Sequence, residues 1–148
     1  MNSFYSALLA IGLLLVVGSS HAQQSQTFGN FEVHYNTINS DQITPQVAKG
    51  YGIKRSASRA LVTITVIDTS QGASGTPIKA AVTVEAVNLT GQLREVEMRE
   101  IIEPDNAIYY IGELPIHNLE TYSFSASVKV PDESKPFELK FRQQFYTE

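Results

Sequence analysis

TYSFSASVKVPDESKPFELKFRQQF, running from Thr121 to Phe145, spells two β-strands and the turn that joins them. Tyr122, Phe124, Ala126, Val128 and Val130 alternate with Ser123, Ser125, Ser127 and Lys129. Phe137, Leu139, Phe141 and Phe145 then alternate with Glu138, Lys140, Arg142 and Gln144. Successive side chains of a strand point to opposite faces, so a period of two sets one face against a core and the other in water. PDESKP, Pro131 to Pro136, separates the runs with residues that favour turns and cannot continue a ladder.

The same period recurs upstream. Phe31, Val33 and Tyr35 share a face opposite Glu32, His34 and Asn36, and Val62, Ile64 and Val66 alternate with Thr63 and Thr65. Ile78, Ala80, Val82, Val84 and Ala86 alternate with Lys79, Thr83 and Glu85, and Ala107 to Glu113 is a short aromatic-rich strand. Turn chemistry at Ser70 to Pro77, Thr90 to Gln92 and Glu103 to Asn106 divides these runs. Leu93 to Ile102 reads two ways. Val96 and Met98 alternate between Glu95, Glu97 and Arg99 as on a charged edge strand, whereas Leu93, Val96 and Ile101 fit a loose helical spacing. The strand is the expectation.

About seven short strands with turns at steady intervals predict an all-β fold, an antiparallel immunoglobulin-like β-sandwich. Leu114-Pro115-Ile116, a polar stretch and then Tyr122 resemble the tyrosine corner of such domains, in which the hydroxyl bonds to upstream backbone.

Alternation stops between Thr37 and Arg59. Thr44-Pro45 is placed to start a short helical turn, as N-cap and first helical residue, with Gly50 expected to end it. A connection this long is uncommon in a compact domain and often functional. It also carries Lys49, Lys54, Arg55 and Arg59, with Tyr51 and Gly52 among them. Such a basic, aromatic-bearing segment suits an anionic ligand, a lipid head group or an acidic partner surface. The plainer reading has these side chains covering the flank and pairing with the acidic 95–105 region.

Composition narrows the chemistry. The 148 residues carry a formal charge of −4 and no cysteine, which removes disulfides and thiolate sites and argues against a nucleic-acid partner. The first 22 residues contain no Asp, Glu, Lys or Arg, and Ala7 to Val17 is an unbroken apolar run before Ser20-His21-Ala22. That run fits a secretion signal cut after Ala22 and is short for a membrane span, although the segment ahead of it lacks the usual Lys or Arg. A retained anchor is the alternative. Residues 23–148 then form a single domain with no further membrane span. His34, His117 and Met98 fall on separate predicted elements, so no metal or other cofactor is expected. No serine sits in a GxSxG pattern and no phosphate-cradling glycine loop occurs. Glu95, Glu97, Glu100, Glu103 and Asp105 read as a solvated edge, though a catalytic carboxylate pair remains open.

FGNFEVHYNTINSDQITPQVAKGYGIKRS, Phe28 to Ser56, resembles the start of a group of exported Gram-negative proteins catalogued as domain of unknown function 4426. The features are His34-Tyr35-Asn36, Pro45-Gln46-Val47-Ala48, Tyr51-Gly52-Ile53-Lys54-Arg55-Ser56 and the later AIYYIGELP, Ala107 to Pro115. The resemblance implies a Gram-negative envelope protein and brings no catalytic residues; with the signal cut after Ala22, the expected location is the periplasm. The expected function is a non-catalytic interaction module, with Tyr51, Lys54 and Arg55 as contacts to an envelope protein or anionic envelope component. The alternative is a small-ligand carrier or enzyme, with its site near His34 and the 37–59 loop.

Overall fold

In the computed structural model, which describes residues 24–148, the two C-terminal runs pair as an antiparallel hairpin. The expected signal and its cleavage point lie outside the described residues. Among the described residues ten strands occur: β1 (Gln24–Phe28), β2 (Phe31–Asn39), β3 (Arg59–Asp68), β4 (Thr76–Pro77), β5 (Ala81–Asn88), β6 (Leu93–Val96), β7 (Arg99–Ile102), β8 (Ile108–Pro115), β9 (Thr121–Lys129) and β10 (Phe137–Gln144). They form two antiparallel sheets, ordered β1-β2-β3-β8-β7 with β4 on β3, and β10-β9-β5-β6. The strands β2-β3-β8-β7 facing β10-β9-β5 reproduce the seven-strand immunoglobulin arrangement. β1, β4 and β6 are short additions that the sequence pattern did not separate.

The alternating faces meet where expected. Val33, Val62, Ile64 and Val66 from one sheet pack with Val84, Ala86, Phe124, Ala126, Val128 and Leu139 from the other, all buried. Each Val, Ile, Leu or Phe side chain among them contributes about 1.5–3 kcal/mol on burial. Ile78 and Ala80 keep the phase of the following strand and pack on this core, although pairing in their sheet starts only at Ala81.

Leu93 to Ile102 is neither one strand nor a helix. Leu93–Val96 pairs with β5 in one sheet and Arg99–Ile102 with β8 in the other, so the chain changes sheets at Glu97 and Met98. The mixed periodicity has this cause: the buried side reverses within the run. Gly112 makes the crossing possible. A Cβ there would lie 2.6 Å from Met98 Sδ and from Val96 Cγ1, and 2.8 Å from Glu97 O.

Aromatic rings close the opposite flank. Phe28 stacks on Phe137 and Tyr35 on Phe141, each at 4.6 Å, joining the outer strands of the two sheets. Such pairs contribute about 0.5–1.5 kcal/mol beyond the area they bury.

Two local expectations are corrected. Tyr122 is fully buried, but its hydroxyl accepts from Arg94 Nε at 3.2 Å rather than reaching upstream backbone. Glu120 does the tying instead, accepting from His117 N at 2.9 Å and Asn88 Nδ2 at 3.2 Å. Burial alone would raise the Glu120 carboxyl, yet the bonds from Asn88, from the backbone and ring of His117, and from Tyr122 hold it below the usual range. The helix α1 (Pro45–Tyr51) has Thr44 as N-cap and Pro45 at its start, as expected. It runs through Gly50, however, and ends at Gly52, whose φ of 64° is the left-handed conformation that glycine adopts freely.

Gly112→Ala should therefore lower stability by about 1–3 kcal/mol, the usual cost of overpacking. Gly50→Ala, inside a helix with open space at the Cβ, should raise it by about 0.5–1 kcal/mol. Urea unfolding of both variants checks this, and the opposite signs would contradict the crossing and the helix boundary.

Candidate functional site

The 37–59 connection is a packed cover. Leu61 and Ile111 alternate with core residues and so face outward from the first sheet. Together with Ile38, Ile101 and Tyr109 they receive Ile43, Ala48, Tyr51 and Ile53, making a second, smaller core. The neck of the connection is tied by Ser40, a fully buried residue of a 3₁₀ turn, Ser40–Gln42. Its hydroxyl lies 2.7 Å from Lys54 O and accepts from Ser56 N at 2.9 Å. Asn39 Nδ2 adds a bond to Ala57 O at 3.1 Å.

The basic residues divide by task. Arg55, itself exposed, donates from Nε to Ile43 O at 2.8 Å and from Nη2 to Asp41 O at 2.9 Å, bracing the cover. Arg59 Nε lies 3.5 Å from Glu113 Oε1, an oxygen that also accepts from Lys54 N at 3.3 Å. Lys49 and Lys54 are exposed, and their ammonium groups enter no ion pair among the described residues. Tyr51 is half-buried on the second core, and its carbonyl accepts from Arg99 Nη2, a cation at a helix C-terminus where the dipole favours it.

The expected pairing of this cluster with the acidic 95–105 region does not occur: Arg59 turns to Glu113, and the ion pair of that region is Glu100 with Lys79 at 3.6 Å. Sequence reasoning missed Arg99, Glu113 and Ser40. Arg99 stood among glutamates as one more edge charge, and only the sheet change brings it to the helix end.

The sheet change also leaves strand edges open. Beyond Ile111, β8 has no partner on the β7 side. A notch of about 330 Å³ opens there, lined by Arg59, Glu97, Arg99, Ile111, Gly112 and Glu113. A second, acidic notch of about 670 Å³ follows β5, where Glu85, Glu95 and Glu97 surround Val82 and Thr83. His34 lies apart from both. It shares the outward face of the first sheet, with Nε2 3.3 Å from Glu32 Oε1. It borders a shallow hollow of about 240 Å³ with Thr65, Ile67, Pro77, Ala107, Ile108 and Tyr109. Hence Tyr51 and Lys54 belong to the same braced connection, Arg55 ties that connection to itself, and His34 belongs to a different hollow. Among the described residues no three His, Cys, Asp or Glu side chains converge as a metal site.

Residues 25–148 match the model of a domain of unknown function, DUF4426. A crystal structure of a DUF4426 family protein from Pseudomonas aeruginosa PAO1 is 31% identical, with a TM-score of 0.71 over 84% of this chain and 94% of that one. A copper-bound variant of FetP from uropathogenic Escherichia coli strain F11 shares the fold at 14% identity, with a TM-score of 0.58 over 84% of this chain and 90% of that one. No curated protein matches.

If the cover is locked as described, Ser40→Ala should cost about 1–3 kcal/mol through unpaired backbone at the neck. Arg55→Ala should also lower stability, whereas Lys54→Ala should stay within about 0.5 kcal/mol. Denaturant midpoints measure all three, and a neutral Ser40→Ala would show that the neck does not hold the cover.

Proposed function

The chain belongs to the DUF4426 family, and we propose that this protein is a non-catalytic periplasmic binding module for an anionic envelope partner. The observation that carries the reading is the convergence of cations from separate segments on one braced surface. Lys54, next to Tyr51, adjoins Glu113 through its backbone, and Glu113 joins Arg59; Arg99 reaches the end of the helix that holds Lys49. The braced backbone fixes where these cations are attached, so an opposite charge is attracted without ordering the connection first. Arg55, a contact candidate from the sequence, is exposed as well, but its guanidinium is engaged by the carbonyls of Ile43 and Asp41. The periplasmic placement rests on the apolar run Ala7 to Val17 and the small residues before Gln23.

A second reading has a specific observation in its favour. The hollow beside His34 has mostly apolar walls and one imidazole, the lining expected for a small-ligand carrier. The copper held by the E. coli protein does not enter either reading, because that likeness concerns the fold.

The test compares the wild type with a Lys49→Ala, Lys54→Ala double variant, each immobilised and exposed to envelope extract over a series of salt concentrations. Capture by the wild type should fall as salt shortens the screening length below about 8–10 Å. The variant should resemble the wild type at high salt. Equal capture by the two proteins at every salt concentration would remove this surface from the site. Loss of capture on His34→Ala instead would favour the hollow.

A further inference from the structure

We propose that the notch beside β8 receives the extended C-terminal end of a peptide, added as a short antiparallel strand against Glu113, with its terminal carboxylate held by Arg99 and flanked by Arg59. The inference rests on the binding-module reading and narrows its partner to a chain end.

The hydrogen-bond phase of the β7–β8 hairpin identifies the open position. Glu103 N donates to Ala107 O at 2.9 Å, and in an antiparallel ladder the pairs that exchange such bonds recur every second residue. Tyr109 and Ile111 therefore aim their N–H and C=O groups at Ile101 and Arg99, their register partners. Glu113 comes next in that series, and β7 has ended. On the other edge Ile116 N donates to Ser58 O at 3.0 Å, which gives Gly112 and Leu114 to β3. Glu113 thus holds an N–H and a C=O aimed into the notch with no strand to meet them.

An incoming extended residue supplies the missing pair, the main-chain contact by which strand addition gains affinity. Direction follows from the lane. A strand antiparallel to β8, passing Pro115 and then Glu113, points its C-terminus at Arg99, where β7 already occupies the lane. It must end there. Its carboxylate then meets the Arg99 guanidinium, whose donors outside the Tyr51 bond can pair with carboxylate oxygens. Arg59 lines the same notch, and the Glu113 carboxylate is already engaged by Arg59 and the Lys54 amide. Glu97 at the rim repels a further acidic side chain, so the site favours a peptide whose one anionic group near this end is the terminus.

The probes are N-acetyl-Val-Val with a free carboxylate and the same dipeptide as its C-terminal amide, each titrated into 15N-labelled protein. The carboxylate form should shift the Glu113 amide and the Arg99 Nε–H resonances. The amide form, and the Arg99→Gln variant with the carboxylate form, should each bind about tenfold more weakly, the loss expected for one charged hydrogen-bonded contact. Equal binding of the two dipeptides by the wild type, or shifts that leave Glu113 unmoved, would overturn the proposal. Salt-sensitive capture through Lys49 and Lys54 without any Glu113 shift would defeat strand addition and leave the binding-module reading standing.

Discussion

The passage of the chain from one sheet to the other at Glu97 and Met98, directly against Gly112, is the constraint on which the remaining architecture turns. Two sheets of a sandwich are held by their facing side chains, but their flanks must also be closed or the core takes up water. Here one flank is closed covalently by the crossing and the other by stacked rings between β1–β2 and β10. The crossing demands a position without a Cβ, and Gly112 supplies it. Its other consequence is geometric. By serving both sheets, the segment leaves β5 open at Val82 and β8 open at Glu113.

The open edge of β8 gains significance from its neighbours. The 37–59 connection lies on the outward face of the same sheet through a small core of its own, and Ser40 and Arg55 fix it there. Rigid attachment brings Lys54 and the end of α1 beside Glu113, while the sheet change brings Arg99 to the same place. Elsewhere the free edges are defended in the ordinary way. β10 carries Glu138, Lys140 and Arg142, and β1 is short and mostly polar, features that discourage pairing with other chains. An edge with an unused backbone pair, where Arg99 stands beside the Arg59–Glu113 pair, is a different case.

Much of the fold was legible in the sequence because the core follows a simple rule of alternation. The faces carrying Tyr122 to Val130, Val62 to Val66 and Phe31 to Tyr35 are those the structure buries or packs on the core, and Thr44-Pro45 does start the helix. The misses share a cause: each depends on contacts between residues far apart in sequence. The reversal within Leu93 to Ile102 is invisible to a periodicity that assumes one sheet. Gly50 and Gly52 are equally good stops locally, and packing of Tyr51 on the second core favours the later one. Arg55 looked like a free charge because its acceptors are the backbone carbonyls of Asp41 and Ile43, which no side-chain pattern reports. For the site, Tyr51 and Lys54 were visible as a basic, aromatic cluster, whereas Arg99 and Glu113 join it only through the fold.

Amide hydrogen exchange of the free protein, followed residue by residue by NMR, tests the central claim most directly. The account predicts that Glu113 exchanges quickly, while its neighbours Gly112 and Leu114, bonded to β3, exchange at the slow rates of the core. Val82, at the companion opening, should also be fast. Protection of Glu113 equal to that of Gly112 and Leu114 would mean that the edge is covered, and the account of the sheet change and its open site would fail.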